Sequence, residues 1–197
     1  RAAPHRRIRR VPPSSVMPRA WTQPQMQAIL AACGRLCGTF RTVPIQRRLF
    51  ATAFCLVAYE TGYRLGDVLR IRRPQIQPSG LIALVQGKTG RVHLARIRPE
   101  TLAAIDEMGT VGRQTVFGGV VCNRRLSRLL GEVFKSAGIT DGSLKWLRRS
   151  GATHVEMANP GAGWKFLGHT TPRMAEQSYL DPLQVGKSPL IPPKIDG

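Results

Sequence analysis

The sequence has few acidic residues for its length. Its 197 residues include 11 aspartates and glutamates against 30 lysines and arginines, which gives a formal net charge of +19 at pH 7. Self-repulsion strains a compact fold with this imbalance unless a polyanion shares its surface, so nucleic acid is the predicted class of partner. A membrane surface is the weaker alternative, because no apolar run is long enough to span a bilayer and no signal-peptide pattern opens the chain.

Paired cysteine motifs are also missing. The four cysteines have no C-x-x-C spacing, and most of them stand in apolar patterns: Cys33, Cys37, Cys55 and Cys122. This usage is typical of reduced thiols in an intracellular protein, so we expect a cytoplasmic or nucleoid-associated location. It also makes a structural zinc site improbable, and nothing in the sequence predicts a metal or a cofactor.

The length suits one globular domain with flanking segments. Residues 1–20 carry six arginines and four prolines, which predicts an extended basic arm or interdomain linker. A solvated, disordered tail explains this composition at least as well as a groove-binding arm does. We place the domain at residues 21–185 and a proline-rich C-terminal tail at 186–197. The chain begins with Arg1 rather than methionine, which suggests that an N-terminal part is absent.

The hydrophobic periodicity predicts a mainly α fold with a small antiparallel β-sheet (α+β). Thr22 and Gln25 have the spacing of a capping box, and Gly62 follows the most apolar helical segment at a natural C-terminal position. The runs "LIALVQ" and "RVHLARI", separated by "GKTG", predict a hairpin with Lys88 on its turn. Helical patterns return at Pro99 and continue to a last helix near "PRMAEQSYL".

Six polar residues of the domain have ordinary explanations when they are taken singly. Arginines and lysines are usually solvated, a histidine after a glycine is often a helix cap, and a tyrosine on an amphipathic helix usually lies at the core edge. The six are Arg64, Lys88, Lys145, Arg148, His169 and Tyr179.

Taken together and in this order, the six residues suit phosphodiester chemistry. A phenol has a pKa near 10, so it needs cationic surroundings to attack as a phenolate at neutral pH. Two arginines can clamp the non-bridging oxygens and stabilise the pentacoordinate transition state. A lysine can protonate the leaving 5′ oxygen, and a histidine can add a hydrogen bond. Such a set would cleave DNA without a metal.

These motifs resemble the tyrosine recombinase (phage integrase) family, which cuts and rejoins DNA through a 3′-phosphotyrosyl intermediate. The likeness covers residues 22–182, the extent of a family catalytic domain. "ETGYRLGDVLRIRRPQI" resembles the segment with the first arginine, which implies that Arg64 clamps phosphate with Asp67 as its supporting partner. "QGKTGRVHLARI" resembles the family's lysine hairpin, which implies that Lys88 is the general acid.

The C-terminal motifs complete the resemblance. "LKWLRRSGATH" resembles the box with the second arginine, which implies that Arg148 is the second phosphate clamp. "FLGHTTPRMAEQSYLDP" implies that His169 contacts the phosphate and that Tyr179 is the nucleophile. The family also implies a homotetramer on paired DNA sites, a C-terminal segment passed to a neighbouring protomer, and an N-terminal DNA-clamping domain that this chain lacks. This fragment alone is expected to be monomeric.

Three positions depart from the family pattern. Lys145 stands where the box normally begins with histidine, so it can bind phosphate or favour the phenolate but is a poorer general base. Asp181 stands where a histidine often follows the nucleophile, and we assign it no catalytic role. His154 occupies a helix position that often has histidine in the family, and we interpret it as structural.

Three other functions compete with a recombinase. A type IB topoisomerase shares the fold and chemistry, and it is favoured by Lys145 and by "YLDP", whereas "TGYRLGDVL" and "LGH" favour an integrase. A DNA-binding protein with an inactive recombinase fold would suit the basic charge. A basic RNA-associated structural protein would explain the charge but not the ordered motifs.

Overall fold

The computed structural model describes residues 17–109, 114–120 and 122–185. Residues 1–16 of the predicted arm and all of the predicted tail, 186–197, lie outside the described residues. Within these ranges the chain forms helices and one hairpin, which confirms the predicted fold class. The elements are α1 (Gln23–Gly34), α2 (Arg47–Thr61), α3 (Leu65–Val68), a 3₁₀ turn (Arg73–Gln75), β1 (Leu81–Val85), β2 (Val92–Arg96), α4 (Pro99–Met108), α5 (Asn123–Ser136), α6 (Leu144–Ala158), α7 (Gly163–Phe166) and α8 (Pro172–Ser178).

The start of α1 and the end of α2 match the signals in the sequence. Thr22 caps α1, and its side chain and that of Gln25 form a reciprocal capping box. Helix α2 ends at Gly62, which adopts a left-handed conformation with φ of 58°. The first predicted arginine, Arg64, therefore lies two residues beyond this turn.

The predicted hairpin is present. Strands β1 and β2 pair antiparallel, with Leu81 opposite Arg96 and Val85 opposite Val92. The side chains of Ile82, Leu84 and His93 on one face are buried, whereas Val85, Val92 and Leu94 on the other are more than half exposed. One face of the hairpin therefore packs on the helical body, and the other faces solvent.

Helix α2 is the centre of the core, and α1, α4 and α6 pack around it. Phe50 and Phe54 of α2 meet Phe117 edge to face, at ring-centroid distances of 5.8 and 5.5 Å. Trp21, fully buried ahead of α1, packs its ring against Phe134 of α5. The chain entering α1 is therefore part of the core.

A second, smaller apolar cluster joins the last two helices to α6. It consists of Ala152, Leu167, Ala175 and Leu180, with Tyr179 packed at its edge. Helices α7 and α8 have only four and seven residues. Isolated helices of this length are unstable in water, so their packing on α6 holds them in place.

All four cysteines are free thiols. Cys33 and Cys55 are buried with their sulfur atoms 3.8 Å apart, whereas Cys37 and Cys122 are exposed. No helix in the described part of the chain has the length and apolar character needed to cross a bilayer.

Candidate active site

Five of the six predicted catalytic residues line one cleft of about 520 Å³ between α2, α6 and the hairpin turn. The five are Arg64, Lys88, Lys145, Arg148 and Tyr179. They come from segments more than 100 residues apart in sequence, and four of them are cationic. Arg149, which the sequence analysis did not single out, also lines this cleft. The cleft is therefore suited to an anionic group.

Arg148 is held by two backbone carbonyls. Its side chain is buried on α6, where Nη1 donates to the Gly62 carbonyl and Nη2 donates to the Leu167 carbonyl at 3.1 Å. Its Nε has no partner among the described residues. Burial lowers the pKa of Arg148 to about 10, although the nearby Tyr179 opposes this fall. The guanidinium is thus protonated at neutral pH, with a donor still available.

Tyr179 follows α8 directly and lies in the cleft rather than within a helix. Its ring centroid is 4.9 Å from Cζ of Arg148 and 5.1 Å from the ring of His169. The tyrosine is half-buried, so its face is against the two predicted partners while the cleft remains open beside it. The structure therefore places the predicted nucleophile beside the predicted second clamp.

His169 is neutral at pH 7 and has a definite tautomer. Burial, together with the charges of Arg148 and Arg64, lowers the pKa of His169 to about 4. Nη2 of Arg148 lies 3.2 Å from Nε2 of His169, and an arginine can only donate. Nε2 must therefore accept, which puts the proton on Nδ1. Nδ1 is buried without a partner in the described ranges, so this N–H is free to donate.

Gln86, which is fully buried at the start of the hairpin turn, connects the first arginine to this turn. Its Oε1 accepts hydrogen bonds from Nη1 of Arg64 at 3.2 Å and from Oγ1 of Thr89 at 2.8 Å. Its Nε2 lies 3.0 Å from Nδ1 of His93 and donates to the Leu167 carbonyl at 3.4 Å. One amide therefore links Arg64, the lysine turn and the carbonyl that holds Arg148.

His93 is the buried acceptor of this network. Burial and the charge of Arg148 lower the pKa of His93 to about 4, so the ring is neutral. With Nδ1 accepting from Gln86, its proton lies on Nε2. Sequence reasoning missed both residues, since "LVQGK" and "RVHLA" show only alternation, and burial of their polar groups follows from pairing with distant segments.

Asp67 does not have the predicted partner. Its buried carboxylate accepts from the Arg70 guanidinium and from the backbone N–H of Gly87 at 3.0 Å, while Arg64 donates to Gln86. The family resemblance implied that Asp67 supports Arg64, but no hydrogen bond or ion pair among the described residues joins these two side chains. Asp67 thus anchors the turn that carries Lys88.

The two predicted lysines reach the cleft from its rim. Lys88 is exposed on the hairpin turn, and Lys145 is exposed in the first turn of α6. Lys145 shares a helix face with Arg148, as its spacing of three residues predicts. His154 lies deeper on α6, where its Nδ1 is 2.8 Å from the hydroxyl of Tyr59. This packed position supports the structural interpretation of His154.

Comparison with known proteins places the fold but finds no near relative. No protein family model matches the chain, and no curated protein matches it. Among solved structures, the XerA recombinase is similar over 86% of this chain and 63% of its own, with 18% identity and a TM-score of 0.66. A lambda integrase dimer bound to a COC′ core site is similar over 93% and 53%, with 20% identity and a TM-score of 0.66.

A third structure is the XerH site-specific recombinase bound to palindromic difH substrate in a post-cleavage complex. It is similar over 82% of this chain and 49% of its own, with 14% identity and a TM-score of 0.67. The chain thus spans between about half and two thirds of these proteins. The shared fold is that of the tyrosine recombinase catalytic domain, as the sequence motifs predicted.

Proposed function

We propose that the chain is a tyrosine-type DNA strand transferase, a site-specific recombinase or integrase that works without metal or ATP. The observation that carries this proposal is the meeting of the two arginines, the two lysines and Tyr179 in one cleft, with His169 against the tyrosine ring. These six residues come from four sequence motifs and converge in a fold shared with DNA recombinases. Convergence of this kind is not required by packing alone.

In the proposed reaction, Oη of Tyr179 attacks the phosphorus atom and displaces the 5′ oxygen. The tyrosine Oη–P bond forms, the P–O5′ bond breaks, the phenol proton passes to solvent water, and Lys88 supplies a proton to O5′. Arg148 and Arg64 neutralise the non-bridging oxygens, and His169, whose ring packs against that of Tyr179, adds a hydrogen bond to the phosphate. The reverse sequence rejoins the strand.

Lys145 is proposed to stabilise developing charge rather than to remove the tyrosine proton. It lines the cleft from the exposed first turn of α6. A lysine ammonium is protonated at neutral pH and has no acceptor, so it stabilises phosphate or phenolate as a point charge. The fixed Arg148 guanidinium, 4.9 Å from the tyrosine ring centroid, adds to this field.

The proposed substrate is double-stranded DNA, bound by a homotetramer on paired sites when the whole protein acts. The solved relatives include a DNA-bound dimer and a complex with a cleaved substrate, and the charge of +19 suits such a partner. If the chain contacts about six to ten phosphates, affinity should fall about 10³- to 10⁵-fold between about 50 and 200 mM salt. Filter-binding titrations on a random duplex measure this, and a flat response would contradict the proposed partner.

A trapping experiment tests the chemistry. The protein is incubated in EDTA with a pool of short nicked duplexes of randomised sequence, in which cleavage releases a small fragment and traps the enzyme. We expect a denaturation-resistant adduct whose attached strands, once sequenced, reveal the preferred site. Tyr179→Phe should abolish the adduct, and persistence of the adduct in this variant would reject Tyr179 as the nucleophile.

The arginines distinguish an enzyme from a binder with the same fold. Arg64→Ala and Arg148→Ala should retain DNA affinity while losing adduct formation, because their contacts strengthen in the transition state. If both variants lose only affinity, the two residues are phosphate anchors. If the wild-type chain binds the pool but forms no adduct, the inactive DNA-binding alternative holds.

Type IB topoisomerase activity is the second candidate, and the position of Lys145 in the cleft favours it. Relaxation of supercoiled plasmid by the monomer on nonspecific DNA would support a topoisomerase. Strand exchange between two copies of the trapped site would support a recombinase. A plasmid carrying two such sites reports both outcomes in one gel.

A further inference from the structure

A carboxylate lies buried two residues after Tyr179, and the reaction proposed above does not use it. Asp181 is 4% exposed. Its Oδ1 accepts from the Leu183 N–H at 3.0 Å, and its Oδ2 accepts from the Ala20 N–H at 3.0 Å and from Nε2 of Gln184 at 3.1 Å. No ion pair of the described residues includes Asp181. Hydrogen bonds on both oxygens therefore stabilise the buried charge.

These bonds fasten the chain after the nucleophile to the chain before α1. Besides donating to Asp181, Nε2 of Gln184 donates to the Ala20 carbonyl at 2.7 Å. The two segments, residues 20–21 and 181–184, are 161 residues apart at their Ala20–Asp181 bond. We call this set of contacts the clasp.

Helix α6 is bonded to both sides of the clasp. The Trp21 N–H donates to Oγ of Ser150 at 2.9 Å, and the Asp181 N–H donates to Oγ1 of Thr153 at 3.1 Å. Ser150 and Thr153 are fully buried on the helix that also carries Arg148. The clasp is thus fixed relative to the guanidinium that Tyr179 faces.

Little else fixes the tyrosine along the chain. It follows the seven-residue helix α8, and the N–H groups of Tyr179 and Leu180 both donate to the Ala175 carbonyl, at 2.9 and 3.0 Å. On the other side, Leu180 is buried in the small apolar cluster with Leu167. A helix of seven residues is unstable without packing, and the first hydrogen bonds that tie the chain after Tyr179 to another part of the fold are those of Asp181.

We propose that Asp181 is a positioning residue for Tyr179, and that it acts by binding the Ala20 N–H. The position of the chain that enters the domain at Ala20 therefore affects the position of the attacking oxygen. A displacement of this segment would make Tyr179 less precisely placed for attack. The inference rests on the proposed function, since positioning matters only if Tyr179 attacks. Asp181 does not line the cleft and contacts none of the predicted reacting atoms, so it is not a catalytic residue.

Two substitutions open the clasp from opposite sides. Asp181→Asn keeps one acceptor oxygen where the carboxylate has two, so it cannot hold both Ala20 and Leu183. Ala20→Pro removes the N–H donor and leaves every residue of the nucleophile segment unchanged. Ala20→Gly is the matched control, because it keeps this N–H, and Asp106→Asn controls for loss of a carboxylate at an exposed site.

The first readout is independent of DNA. Hydrogen exchange of the free protein is followed by mass spectrometry in peptides covering residues 176–185. We expect Asp181→Asn and Ala20→Pro to exchange faster than wild type there while α2 and α4 keep their protection. The two controls should match wild type. Unchanged protection in both test variants would reject the proposed role of the clasp.

The second readout is the single-turnover rate of adduct formation on the trapped duplex, below the melting temperature of every variant. At saturating DNA we expect the rate to fall about 10-fold to 10²-fold in both test variants, with the half-saturating DNA concentration unchanged, because displacement by about 1 Å costs this much. A role limited to stability would lower the melting temperature and leave this rate unchanged, which would reject the inference.

A double variant completes the test. If Ala20 and Asp181 act through one bond, Ala20→Pro in the Asp181→Asn background should slow the reaction no further. Additive losses would mean that Ala20 does not act through Asp181. If the wild-type chain forms no adduct at all, the proposed function fails, whereas a normal adduct rate in the test variants defeats only the positioning role.

Discussion

Arg148 shows which properties of a site residue a local sequence pattern can predict. The motif "LKWLRRSG" indicated the residue, its helix and the face that it shares with Lys145. It did not predict that the carbonyls of Gly62 and Leu167 orient the guanidinium. Those contacts depend on how α2 and α7 end beside α6, and such tertiary pairings leave no periodic signal.

Gln86 makes four side-chain hydrogen bonds in and around the site, so its removal should be costly. In Gln86→Leu, Nδ1 of buried His93 loses its partner, and Arg64 loses the acceptor that orients it. We expect about 1–3 kcal/mol less stability for a buried group left unpaired, measured by urea unfolding, and slower adduct formation. Gln77→Leu, at an exposed glutamine, should change stability by no more than about 0.5 kcal/mol. Equal unfolding midpoints for the two variants would contradict the role of Gln86.

If Lys88 is the general acid, a substrate with a better leaving group should compensate for its loss. Lys88→Ala is expected to cleave an ordinary phosphodiester roughly 10²- to 10⁴-fold more slowly than the wild type, because no proton reaches the 5′ oxygen. A 5′-bridging phosphorothiolate leaves without protonation, so it should restore the rate. Arg148→Ala provides the control, since charge stabilisation of the non-bridging oxygens is still needed and no rescue is expected. Failure to rescue Lys88→Ala would reject its acid role.

At the scale of elements, the sequence predicted the main helices and the hairpin because their signals are local. The Thr22–Gln25 capping box, Gly62 and the "GKTG" turn all act within a few residues. The segment between α6 and α8 was harder to predict. "GAGWKFLGH" has a helical pattern, yet α7 includes only Gly163–Phe166. The chain there bends to bring the Leu167 carbonyl and His169 to Arg148, and contacts with α6 and the hairpin determine this bend.

Gly168 is required by this bend. It has φ of 64°, and a Cβ at this position would lie 2.8 Å from Nε2 of Gln86 and 2.9 Å from Cγ of His93. Gly168→Ala should therefore cost more than the roughly 1–3 kcal/mol of a left-handed alanine alone. Gly161→Ala isolates the backbone part, since φ there is 83° and nothing lies within 4 Å. Urea unfolding of both variants measures the difference, and equal losses would show that the site tolerates the methyl group.

At the scale of the whole molecule, two buried histidines should make the domain sensitive to acid. In the folded protein the pKa values of His93 and His169 are about 4, whereas an unfolded histidine titrates near 6.5. Between these values the unfolded chain binds more protons, so stability rises with pH across this window and falls as pH drops from about 6.5 to 4.

Urea midpoints measured between pH 4 and 8 should follow this curve. His93→Gln removes one of the two titrating groups. It should therefore reduce the slope of the urea midpoint against pH by the share that this group contributes. The slope should keep its wild-type value in a variant that lacks only an exposed acid, such as Asp106→Asn. A wild-type midpoint that is constant from pH 7 down to pH 5 would contradict neutral burial of both histidines.

The clasp also brings together the two positions at which the chain enters and leaves the described domain. Because the Ala20 N–H and the Asp181 carboxylate lie 3.0 Å apart, entry and exit are neighbours in space. The backbone between these two residues therefore forms an almost closed loop. A short peptide from residue 185 back to residue 19 would complete it. New termini opened at the exposed residues 41 and 42, between α1 and α2, would then give a circular permutant in which α1 follows α8 along the chain while the cleft keeps its geometry.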